Sequence, residues 1–155
     1  MTQRKHDWNT LENYLAVHYK VLRFYSSNLV VPQDYIYLKV TPYYHTLEAK
    51  GFRFGTYRGN EIRVDVSKII EVDPDRTKGK EWARTFKYSY NANIPKGKNL
   101  IRYCSPHDDE DSTPIDHHKV HHKHDFTKNS PEVVTIPEDK WPHLGEFLNE
   151  VLSQF

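Results

Sequence analysis

The chain has 155 residues, a formal charge of +1 and a mean hydropathy of −0.84. One domain of that length buries roughly two-thirds of its unfolded surface, and the near-neutral charge excludes a globally basic nucleic-acid binder while leaving room for a local patch. A lone cysteine, Cys104, excludes an intrachain disulfide and a cysteine-rich zinc module.

Reduced cysteine points to a reducing compartment. No apolar run nears the ~20 residues of a membrane span, and residues Met1 to Asp7 lack a signal-peptide core. A cytoplasmic protein with no membrane partner is the expectation. Eleven Tyr, seven Phe and three Trp suit a sheet whose surface is part core and part binding face.

In chain order, Asn9 followed by Glu12 fits the reciprocal cap of a helix N-terminus. Leu11, Tyr14, Leu15, Val21, Leu22 and Tyr25 then roughly follow helical spacing, although Tyr19 to Phe24 also suits a strand. Val31-Pro32-Gln33-Asp34 breaks the segment. From Tyr35 to Thr41 the period is two, with Ile36, Leu38 and Val40 on one face.

Phe52 to Arg58 and Glu61 to Val66 flank Gly59-Asn60, which predicts a hairpin with a two-residue connection. Lys68 to Val72 continues its second strand past a bend, and Asp73 to Gly79 is a turn. Trp82, Arg84, Phe86, Tyr88 and Tyr90 share one face of the next strand, expected to be the core face. A loop over 91–99 leads to an antiparallel strand, Leu100 to Cys104, in which Cys104 is a small core residue.

An acidic turn holds Asp108, Asp109, Glu110 and Asp111. Val133 to Ile136 is a last strand. Leu144, Phe147, Leu148, Val151 and Leu152 mark an amphipathic C-terminal helix with Pro142 in its first turn. The whole is an α+β fold of one domain: a mostly antiparallel sheet with an N-terminal and a C-terminal helix packed on it.

Five of the ten histidines, His117, His118, His121, His122 and His124, fall within eight residues, interleaved with Lys119 and Lys123. Three readings of the run stay open. A metal could be held by His117 with His121 or His118 with His122, four apart on a helix, although no recognised zinc spacing is present. RNA is cleaved without metal when one imidazole takes the 2′-hydroxyl proton, another protonates the leaving oxygen, and a cation stabilises the phosphorane. His121, His122 and His124 are the proton-handling candidates, with Lys123 and, from the preceding strand, Arg102 and Tyr103 as substrate-binding candidates. The bland reading is a solvated loop, and it is the one applied to His6, His18, His45 and His143. No cofactor is expected, a divalent metal being the exception.

The stretch Phe86-Lys87-Tyr88-Ser89-Tyr90, then Leu100-Ile101-Arg102-Tyr103, Pro106-His107 and His121-His122-Lys123-His124, resembles the TumE family of prokaryotic toxin–antitoxin proteins. The resemblance covers roughly Gly55 to the C-terminus. It departs from the family pattern at Cys104-Ser105, in place of Asp-Asn, and at Asp108, in place of a second histidine after the proline. It implies a small growth-inhibiting toxin with a cognate antitoxin partner, and site positions Arg102, Tyr103, His107, His121, His122, Lys123 and His124. Action on RNA follows from residue chemistry alone. The competing classes are a non-enzymatic nucleic-acid- or protein-binding module and a metal-dependent hydrolase, and an aromatic sheet of this kind can also pair as a homodimer.

Overall fold

The structure is a computed structural model and describes residues 8–30, 37–40, 45–105, 121–128, 132–137 and 140–155. Two helices, α1 (Leu11–Phe24) and α2 (Leu144–Gln154), bracket the strands β1 (Asn9–Thr10), β2 (Tyr37–Val40), β3 (His45–Gly55), β4 (Glu61–Thr77), β5 (Lys80–Asn93), β6 (Asn99–Cys104), β7 (His122–Asp125) and β8 (Glu132–Thr135). Every strand pairing is antiparallel. The sheet order runs β2 to β8 without a crossover, and β1 pairs with β5 off this path. The expected α+β architecture is the one observed.

Both helices pack on one face of the sheet. On α1 the buried residues Tyr14, His18 and Leu22 recur every four positions, a single helical stripe. On α2, Leu144, Phe147, Leu148, Val151 and Leu152 are buried as their spacing predicts, each stabilising by about 1.5–3 kcal/mol before the entropy of ordering is subtracted. Under them lie Leu47, Ala49, Phe52 and Phe54 of β3, Ile62, Val64, Val66 and Ile70 of β4, and Tyr88, Tyr90 and Ala92 of β5. We call this the inner face; the outer face carries no helix among the described residues.

Five local expectations are corrected. The α1 cap is Thr10, whose Oγ1 accepts from the Asn13 amide at 3.2 Å. Asn9 lies one residue before the cap, and its Oδ1 accepts from the Thr10 amide at 2.9 Å instead. Pro142 lies before α2, whose N-cap is His143. The β3–β4 hairpin exists, but Gly55 pairs with Glu61, so five residues connect the strands. Gly59 takes φ +87° there, and its amide donates to Thr56 O. The region expected to bend at Ser67 and turn at Asp73 is instead one strand to Thr77, its register shifting between Asp73 and Thr77.

The fifth correction matters most. Lys87 pairs with Ile69 and Thr85 with Ile70, so Phe86 is an extra residue in β5. Such a bulge reverses which side chains face inward. Tyr88 and Tyr90 are buried, whereas Phe86 is 56% exposed. Ala83 and Thr85, not Trp82 and Arg84, continue the inner face.

Candidate functional site

The β6–β7 ladder sets Arg102 opposite His124, Tyr103 opposite Lys123 and Cys104 opposite His122. Side chains alternate across a sheet, so Arg102, Cys104, His122 and His124 share the outer face while Tyr103 and Lys123 turn inward. His121, just before β7, goes inward as well. Its ring stacks on Tyr88 at 5.6 Å and on Trp141 at 5.9 Å, and its Nδ1 lies 3.1 Å from the Tyr88 hydroxyl. The three proton-handling candidates therefore do not gather in one place. The sheet separates His121 from the other two, because residues adjacent along a strand point to opposite sides.

On the outer face the His122 and His124 rings meet edge to face with centroids 4.9 Å apart. Phe126 stacks in parallel on His124 at 5.5 Å. Arg102 is exposed and its Nε donates to Cys104 Sγ at 3.1 Å. Accessibility divides the pair. His124 is partly exposed, but His122 is 0% exposed and Cys104 only 3%. His122 is closed off from solvent in this conformation and packs edge to face against the His124 ring.

Charge on this face is unevenly compensated. Arg53 meets Glu61, Arg63 meets Asp65 and Arg84 meets Glu71. Among the described residues Arg102 meets no carboxylate. Its cross-strand neighbours are His124 on β7 and Asn91 on β5, and the Asn91 Nδ2 donates to Asn99 Oδ1 at 3.2 Å. The outer patch thus presents a guanidinium, an imidazole and amides side by side.

Tyr103 and Lys123 have other work. The Tyr103 hydroxyl donates to Glu150 Oε2 at 2.7 Å, and Lys123 Nζ donates to the other oxygen of the same carboxylate. Both therefore tie α2 to the β6–β7 pair, on the opposite side of the sheet from Arg102 and His124. Burial and the Glu150 carboxylate raise the Tyr103 hydroxyl well above its ordinary range.

Of the metal candidates, His122 is in a strand and His121 immediately precedes it, so neither of these two sits on a helix. Among the described residues no three His, Cys, Asp or Glu side chains gather to hold an ion. His107, His117, His118 and the acidic turn lie outside the described residues.

A second cluster escaped the sequence reading. Lys68 on β4 is 1% exposed, and its Nζ lies 2.9 Å from His18 Nε2 and 5.4 Å from the centroid of the Tyr90 ring. His18 Nδ1 is 2.7 Å from the Tyr14 carbonyl, to which it donates, leaving the Nε2 lone pair for Lys68. Burial and the neighbouring ammonium push the His18 imidazole down to about 3, and burial pushes Lys68 down to about 7. A signal was present: Lys68 occupies the inward register of Ile62, Val64, Val66 and Ile70. A bend at Ser67 would break that register, whereas β4 runs straight through it.

Comparison with protein-family models, with curated proteins and with solved structures finds no match to this chain.

Proposed function

We propose that the outer face around Arg102 and His124 contacts a phosphodiester, with RNA as the substrate, in a toxin-like protein held in check by a cognate antitoxin in the cytoplasm. The observation that carries this reading is the register of β6 and β7, which sets an arginine lacking a carboxylate partner among the described residues directly opposite an accessible histidine. Guanidinium groups bind phosphate through paired N–H donors. The His124 imidazole, steadied by Phe126 and His122, would take the 2′-hydroxyl proton or protonate the leaving oxygen, while Arg102 stabilises the charge that develops on phosphorus. The TumE resemblance supports the same reading through Arg102 and His124.

A second reading is favoured by the burial of His122. One accessible imidazole supplies only one of the two proton transfers, which suits a module that binds RNA without cutting it.

The test incubates the purified chain with a labelled single-stranded RNA in EDTA, measuring cleavage and binding together. Cleavage that disappears in Arg102→Ala and His124→Ala supports the enzyme. Binding that weakens steeply with salt and no turnover supports the module. Cleavage that needs Zn²⁺ or Mn²⁺ moves the chemistry to a metal-dependent hydrolase. Neither binding nor cleavage ends both readings. Growth inhibition on expression, relieved by the product of an adjacent gene, tests the antitoxin partner.

A further inference from the structure

Lys68 and His18 form one wall of a cavity of about 160 Å³ between α1 and the start of α2. Tyr14, Thr85 and His143 contribute polar groups, and Val17, Val21 and Leu144 an apolar side. That volume is close to the space in which an engineered apolar cavity holds benzene, about 150 Å³. Among the described residues no Asp or Glu lines it.

The charge balance of the cavity is incomplete. A buried cation ordinarily has a counter-ion or a full set of acceptors. Among the described residues Lys68 has a neutral imidazole nitrogen and the face of Tyr90, so two of its three ammonium protons have no acceptor there. The Tyr14 hydroxyl and Thr85 Oγ1, 2.5 Å apart, add a second polar edge. The cavity has a rim, since Val17 is half exposed and Asn9 and His143 are partly exposed.

We propose that this cavity is a binding site for a small carboxylate bearing an apolar group, its carboxylate paired with the Lys68 ammonium and its apolar part against Val17, Val21 and Leu144. One lysine matches a monoanion, and the apolar wall favours an organic acid over inorganic phosphate. The site lies under the helices on the inner face, apart from Arg102 and His124, so it does not depend on the RNA reading.

The experiment is calorimetric titration of the full chain with benzoate, benzamide and inorganic phosphate at about pH 6, below the Lys68 pKa of about 7. Benzoate is expected to bind saturably at one site, with benzamide and phosphate at least about tenfold weaker. Lys68→Met should weaken benzoate at least about tenfold. Should that variant fail to fold, Val17→Trp fills the rim from a half-exposed position and should abolish binding with the near-ultraviolet dichroism unchanged. Absence of benzoate binding, equal binding of benzamide, tighter binding of phosphate, or benzoate affinity unchanged in the folded variants would overturn the proposal.

Discussion

Lys68 Nζ and His18 Nε2 approach to 2.9 Å inside the core, one from the middle of the sheet and the other from the helix above it. Both prefer to be uncharged there, and that preference links the pair to the pH dependence of folding. His18 titrates near 6.5 when unfolded and at about 3 when folded, so its contribution grows as pH rises from about 3 to 6.5. Lys68 falls from 10.5 to about 7, so the unfolded chain binds the extra proton between those values. Stability should therefore climb again above about pH 7, by up to about 2 kcal/mol over two pH units. Above about pH 10 the raised hydroxyls of Tyr14, Tyr88, Tyr90 and Tyr103 reverse the slope. Urea midpoints followed by tryptophan fluorescence at several pH values measure this, and Lys68→Met should flatten the upper climb and, by removing the ammonium beside His18, shrink the lower one.

Under the proposed RNA chemistry, Arg102→Ala and His124→Ala should each lower cleavage by about 10²-fold or more. Their cost in stability should stay within about 1 kcal/mol, because neither side chain is fully buried. His122→Ala behaves differently. It empties a fully buried site and should cost about 2 kcal/mol or more. Activity and melting temperature fall together in this variant, whereas in the other two only activity falls. Parallel thermal melts and cleavage assays separate the cases.

Glu150 holds two partners with one carboxylate. Glu150→Gln leaves the partly buried Lys123 without its counter-charge and should destabilise by about 1–2 kcal/mol. Tyr103→Phe removes one hydrogen bond, about 1 kcal/mol. Because both changes act on the same contact, a double-mutant cycle should show less than additive loss. Additive losses would mean that Tyr103 and Glu150 do not interact in solution.

The bulge at Phe86 gives a direct contrast. Phe86→Thr should shift stability by no more than about 0.5 kcal/mol, since the ring is mostly exposed. Tyr88→Ala should cost about 3 kcal/mol, because the ring is stacked at 4.3 Å on Trp141 inside the core. A strand without the bulge would put both residues on one face, with comparable costs.

Local pattern was enough to place most elements. The spacing of Leu144, Phe147, Leu148, Val151 and Leu152 specified α2 and its buried stripe, because a helix of 3.6 residues per turn has only one way to bury them. Period-two stretches marked the middle of β4, β5 and β6 for the same reason. The bulge was not legible, since one inserted residue leaves the alternation of Trp82, Arg84, Phe86, Tyr88 and Tyr90 intact on paper while reversing half of it in space.

What sequence alone determined was the α+β class, the packed helix faces and the residue types crowded into 121–124. What only the tertiary structure decided was which of those residues face one another. Pairing of β7 against β6 put His124 beside Arg102 and sent His121 and Lys123 to the opposite side, toward Trp141 and Glu150. It also brought Lys68 under His18, fifty positions away along the chain. Contacts between distant strands and helices arise from register and layer packing, and no local periodicity encodes either.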